Sequence, residues 1–394
     1  MKIQILSVFH KMKTDNLKRT KIFWPWLIFV LYQIVLILLV LIFLYLNNKQ
    51  YFSFNLIIDR LQRWDGGHYI FIAQNGYVKY WDKNNLIVFP PLYPILIKVL
   101  SLVLSNPYIS AITITAISSI IGCSIFFIFL SRVLKYSKLK TLRILLLFIF
   151  SPIGVFFALT YVESLYFMLS ILFFYSLYRN KLTLASIFGF FLTLTKLQGI
   201  TVILPLAFYM IKGLIKSFNL SSTIFNFIRI SIVASGFLIY LLINFTIYKD
   251  PLYFSGRLKS YWGKTLVNPI PQYVNYFKYT KTLVKENKNK IDPVTVDFIS
   301  VLVAPLLLIA YLIFQRKRLL PVEMILWTTA NIILVSSQSW WLSSTRYICL
   351  IFPLFIMVES LLWKFKPLYF LTLAVFFWLF ISGVTNFALG NWNY

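Results

Sequence analysis

Acidic residues are scarce in this sequence. Eleven Asp and Glu stand against 38 Lys and Arg in 394 residues. Cysteine and histidine are scarcer still, two of each, so no zinc cluster of the Cys/His type is available. Cys123 and Cys349 fall in apolar segments, where a thiol packs as a small hydrophobe. No Gly-rich phosphate loop is visible. Polar surface is also short: the chain is 60% apolar and 19% aromatic, with a mean hydropathy of +0.79. Soluble domains are roughly 45–50% apolar, so a soluble core would lack the polar residues to cover it.

What is present is a series of apolar runs, most of them near bilayer-spanning length. They predict an all-α polytopic membrane protein of about eleven spans: 25–46, 109–131, 143–160, 161–178, 182–195, 198–212, 229–248, 297–314, 320–337, 347–363 and 367–388. The pairs on either side of residues 160 and 196 are short enough to be broken or tilted. The whole chain, 1–394, reads as one transmembrane unit without an internal repeat.

The formal charge of +27 would point to nucleic acid in a soluble protein. Here there is no basic helix and no zinc-finger pattern, so no nucleic-acid partner is expected. Basic residues instead sit in short loops beside apolar segments, where they set topology and meet anionic lipid. "KMKTDNLKRTK" precedes the first span, and "SRVLKYSKLKTLR" (131–143), "YRNK" (178–181), "QRKR" (315–318) and "WKFK" (363–366) separate later ones. The stretch Trp24–Leu46 is too long for a signal-peptide core and no small-residue cleavage site follows it. It reads as an uncleaved first span with a cytoplasmic N-terminus. The clusters share one face only if Phe89–Leu104, "FPPLYPILIKVLSLVL", does not cross. Its three early prolines and Lys98 fit an interfacial helix. Two long segments, about 47–108 and 249–296, then lie outside, and they carry Asp59, Asp65, Asp82, Asp250, Glu286 and Asp292. Carboxylate chemistry is therefore expected on the outer face.

Asp65 leads the candidates. In "RWDGGHY" it follows Trp64 and precedes two glycines, which permit a tight turn or a close backbone approach. Trp64 suits the headgroup level or the face of a sugar. A partly desolvated carboxylate there suits a base; the competing reading is a helix cap. "FPPLYP" (89–94) is explained by a rigid interfacial turn alone. Glu163, in "YVESLYF", sits near the outer end of a span, where a carboxyl is costly and often functional, or only bonds a neighbouring helix. "YKDPLYFSGRLKSYWGKTLVNP" (248–269) combines Arg257, Lys259 and Lys264 with Tyr253, Tyr261 and Trp262, a mixture suited to a lipid phosphate bearing a sugar, or to an ordinary interfacial loop. Arg346 opens a span and would hold a phosphate or anchor the helix. Lys196 and Gln198 of "TKLQG" would serve similarly at an outer turn. His68 stays unassigned.

The order "RWDGGHYIFIAQNGY", "VFPPLYPIL", "YVESLYF", "TKLQGI", "DPLYFSGRLKSYWG", "RYICLIFPLF" resembles the PIG-V-like mannosyltransferases over roughly residues 60–360. "TKLQG" departs from the Arg-rich or Arg-Asn-Gly version expected at that motif, with Lys196 in its place. The resemblance implies a GT-C-like bundle with interfacial helices in its first outer loop. It implies transfer of a sugar from a polyprenyl-phosphate donor, with inversion, on the outer or lumenal face. By motif position Asp65 is the catalytic carboxylate. No cofactor is required and no metal ligand is assigned; dependence on a divalent ion is left open. The acceptor, a glycolipid, polymer or protein, is not specified. Two rival readings stand beside this one. A transporter or flippase of lipid-linked sugars would use mid-membrane charge, with Glu323 and Glu359 as candidates. A structural subunit would support a separate catalyst.

Overall fold

The computed structural model describes residues 23–47, 53–79, 83–286, 293–315 and 320–391. The N-terminal basic cluster, most of "QRKR", Asp15, Asp82, Asp292 and the Glu286 side chain lie outside what it describes.

A backbone surrounded by lipid must bond its own N–H and C=O groups, and helices do so within one segment. Among the described residues there is no strand, only an isolated bridge between Leu266 and Gln338. Six helices are long and apolar enough to cross a bilayer: Trp26–Leu46, Pro107–Val133, Leu197–Lys216, Leu220–Tyr248, Pro293–Phe314 and Lys366–Leu389. Shorter apolar helices run over Glu163–Tyr178, Leu182–Thr193, Val322–Ser336 and Pro353–Leu362. All eleven expected segments are helical, but two are broken. The stretch 143–160 becomes Lys138–Ile149 followed by a 3₁₀ turn at Pro152–Phe157. The stretch 347–363 becomes Ser344–Cys349 and then Pro353–Leu362. Pro152 and Pro353 each open the piece after the break, where a missing N–H costs no helical bond; Ser151 before Pro152 is extended at ψ 167°, whereas Phe352 before Pro353 keeps helical angles, φ −52° and ψ −28°. The proline-led helix Leu92–Leu104 has 13 residues, about 20 Å, well short of the hydrocarbon thickness.

Local signals start and stop these helices. Asn106 caps Pro107–Ile128 by accepting the amides of Tyr108 and Ile109 at 2.9 and 3.1 Å, with proline in the first turn. Gly390 ends the last helix at φ +78°. Phenylalanines fill the centre: Phe148 meets Phe167 at 4.4 Å between ring centroids, and Phe126 and Phe352 pack around them. Helices 182–193 and 220–248 approach closely because Gly236 has no side chain; a Cβ there would lie 2.1 Å from the Thr193 hydroxyl.

A charged clamp ties the helix Lys138–Ile149 to the helix Pro353–Leu362. Arg143 donates twice to Glu359 Oε1, at 2.8 and 2.6 Å, and stacks at 3.7 Å on Trp363. Lys140 adds a contact at 3.5 Å. Glu323, equally buried, accepts the Tyr178 hydroxyl at 3.2 Å. Both carboxylates raised by the transporter reading are thus engaged in helix packing. Removing Arg143 leaves a buried carboxylate with one more distant cation. Arg143→Leu should therefore cost about 3 kcal/mol, read as a lowered Tm in detergent, with little change in substrate KM.

Candidate active site

The Asp65–Asn75 helix begins at an awkward corner. Trp64 holds φ +55°, a left-handed value rare for a bulky side chain and costing on the order of 1–3 kcal/mol. The corner is tied down from outside. The Thr160 amide and hydroxyl both donate to the Leu61 carbonyl, at 3.3 and 3.0 Å, and the Tyr161 hydroxyl donates to the Arg63 carbonyl at 3.0 Å. Gly66 makes this docking possible, because a Cβ there would sit 2.3 Å from the Thr160 hydroxyl oxygen. Gly67 is less constrained, with a carbonyl at 3.2 Å. Gly66→Ala should therefore lower both Tm and transfer rate, by about 1–3 kcal/mol in stability, while Gly67→Ala loses less in the same two assays.

Asp65 faces Arg346, whose Nη2 donates to its Oδ2 at 2.7 Å. Glu163 opens its own helix, where the positive end of the helix dipole favours an anion. Its Oε1 accepts from Lys196 Nζ at 2.8 Å and lies 3.8 Å from Arg346 Nε. Lys196 stands 4.4 Å and Lys264 5.1 Å from the centre of the Tyr347 ring. Two anions and three cations are thus gathered around one end of the bundle. Asp65 is the most accessible of the ion-paired four: its side chain is 17% exposed, against 6% for Arg346, 8% for Lys196 and 1% for Glu163.

Supports reach in from distant segments. The Asp297 carboxylate accepts the amides of Ser343 and Thr345, both at 2.7 Å, and so fixes the left-handed turn at Ser343 that delivers Arg346. Lys264 lies just past Gly263, which ends the helix Tyr253–Trp262. Its loop is held by Val267 N–H on the Ser337 carbonyl and Ser339 N–H on the Thr265 carbonyl, at 2.7 and 2.8 Å. Lys264 Nζ donates to the Leu342 carbonyl at 2.8 Å.

Burial raises the Asp65 pKa, but Arg346, with His68 and Lys196, outweighs it and holds the carboxyl below its ordinary value. Burial depresses the Lys264 ammonium, and Arg346 adds to this against the opposing pull of Tyr347. Two buried polar atoms here, Glu163 Oε2 and Arg346 Nε, meet no hydrogen-bond partner among the described residues. Such atoms are costly unless a ligand or water satisfies them.

Of the residues expected from sequence, the fold joins Asp65, Glu163, Lys196, Lys264 and Arg346. Trp262 comes near through Phe89, 5.9 Å from its ring and 5.4 Å from that of His68. Others are engaged elsewhere. Arg257 lies 4.6 and 5.8 Å from the rings of Tyr253 and Tyr261, four residues to either side on its own helix, so that helix spacing occupies its charge locally. Trp64 packs edge-on against Phe387 at 5.0 Å. Gln198 donates to Asn331 at 3.3 Å. Arg257 and Tyr261 thus sit together on one helix, Trp64 directly precedes Asp65, and Gln198 lies two residues past Lys196. The sequence reading missed Tyr347, adjacent to Arg346 in "TRY", and Asp297, which it took only as part of a span. Among the described residues no group of three or more His, Cys, Asp or Glu gathers.

An α-helical membrane bundle with an ion-paired carboxylate at the start of a short helix defines the class: a polytopic membrane protein with a charged, half-buried site. The chain belongs to the PIG-V mannosyltransferase family, whose model, described as "Mannosyltransferase (PIG-V)", matches residues 22–290. By family it is a membrane glycosyltransferase. No curated protein and no solved structure gives a match. Arg346 lies beyond the matched residues, yet its side chain reaches Asp65 and Glu163 within them.

Proposed function

We propose that this chain moves a mannose from a polyprenyl-phosphate donor to an acceptor hydroxyl on the non-cytoplasmic face, by single displacement with inversion. The observation that carries the reading is the Asp65–Arg346 pair set beside Glu163, Lys196 and Lys264. The acceptor hydroxyl is a poor nucleophile, and Asp65 takes its proton as attack on the sugar C1 proceeds. The C1–oxygen bond to the lipid phosphate breaks, and the charge left there needs cations. Arg346, Lys196 and Lys264 are the cations such a phosphate would meet, set against Asp65 and Glu163, with Asp297 acting on Lys264 from behind the Ser343 turn.

Arg346 has a second part in this. While it bonds Asp65 it holds that carboxyl ionised but weakly basic. A donor phosphate competes for the same guanidinium. As Arg346 turns to it, Asp65 loses its main counter-charge and becomes a stronger base only when the donor is in place. A lipid-linked donor also accounts for a membrane-embedded catalyst, since the isoprenoid stays in the bilayer while its head reaches the site. Charge supports the proposed topology. Lys140 and Arg143 begin a helix whose other end leads to Thr160 and the Asp65 corner, so basic loops and site lie at opposite ends.

The test is the purified chain with labelled polyprenyl-phosphate mannose and, separately, GDP-mannose. Transfer from the lipid donor alone, with a product of opposite anomeric configuration, is expected. Transfer from the nucleotide sugar, or retention at C1, would overturn the reading.

A further inference from the structure

His68 lies three residues after Asp65 on the same helix, which places both side chains on one face about 5–6 Å apart at Cβ. Its ring packs 5.4 Å from Phe89, which is itself held between Tyr69 and Trp262. Among the described residues neither ring nitrogen hydrogen-bonds to the protein. A histidine kept only for packing usually has at least one nitrogen satisfied. This one is half-buried, oriented by an aromatic wall, and among the described residues has both nitrogens unengaged beside the carboxylate.

We infer, building on the Asp65 base reading, that His68 receives the acceptor proton from Asp65 and returns it to water. The steps balance. The acceptor oxygen bonds to C1 as the bond from C1 to phosphate breaks, and the hydroxyl proton passes to Asp65. Asp65, whose paired state is the ionised one, gives that proton to the unprotonated nitrogen of His68. His68 releases it to solvent, and both groups are as they began. The charged groups facing His68 are Asp65 on its own helix and Lys83 on the following segment. Burial, with Lys83, keeps the ring neutral to a lower pH than usual, against the pull of Asp65, so it is ready to accept at neutral pH. His68 is thus a proton-carrying residue acting through Asp65, not a second base.

The experiment compares His68→Gln and His68→Asn with the unaltered chain, using polyprenyl-phosphate mannose and a soluble acceptor, after a melting curve shows each variant folded. kcat at pH 7 should fall about tenfold with donor KM unchanged. The acid limb below the ordinary histidine value of 6.5 should disappear, and added imidazole should restore part of the rate. An unchanged kcat, or a fall with the acid limb intact and no imidazole rescue, overturns the relay. Asp65→Asn in the same assay separates the two readings. If it stays active, the base assignment fails. If it is inactive while both His68 variants are fully active, only the relay fails.

Discussion

Asp65→Asn should reduce kcat about a thousandfold, the middle to upper range for removing a general base, without raising the donor KM. The shape of the side chain is preserved, and the amide oxygen still accepts from Arg346, so the corner at Trp64 and its bonds to Thr160 and Tyr161 remain. What disappears is the negative charge. Among the described residues Arg346 then keeps Glu163, at 3.8 Å, as its anionic partner. A donor phosphate no longer competes with Asp65 for the guanidinium, so it should bind as tightly as before or more so. The split is diagnostic. A residue that merely held the donor would raise KM on substitution, whereas a base lowers kcat. Radiolabel transfer at saturating and limiting donor separates the two, and full activity of the variant would remove Asp65 from the mechanism.

The sequence made the class of this fold visible because lipid imposes a simple rule on it. Long apolar runs must be helical, and basic loops between them order the spans. The breaks at Pro152 and Pro353 were less visible, since hydropathy runs straight through a proline. At the site, Asp65 stood out because acids are rare and two glycines follow it. Glu163, Lys196 and Arg346 were each noticed as charges at span ends. Their pairing was not legible, because it depends on three-dimensional closure between positions 33 and 281 residues apart. Arg257 stands between Tyr253 and Tyr261 in sequence, and four-residue spacing on a helix brings both rings against it. Asp297 was hidden because an acid inside an apolar run gives no hint that it bonds two amides of a loop 46 and 48 residues on.

Arg346→Gln should have the other large effect, and its pH dependence identifies the cause. Removing a cation aimed at the departing phosphate costs about 10²–10³ in rate. Breaking a buried ion pair on one side costs about 3 kcal/mol in stability. The sign with pH follows from Asp65. In the unaltered protein its pKa lies below the ordinary 3.8, so the pair stabilises the fold above that pH, and the stability is lost as pH falls through the depressed value. In the variant the chief lowering influence is gone while burial remains, and the carboxyl titrates higher. The Tm gap between the two proteins should therefore be widest above pH 3.8 and narrow below it. Protonation of Asp65 should cut the rate at a higher pH than it does in the unaltered enzyme, a limb separate from the one assigned to His68, because a protonated Asp65 cannot accept the acceptor proton. A variant that merely lost a structural contact would run slower at every pH with the limb unmoved, and that outcome would separate Arg346 from the control of Asp65.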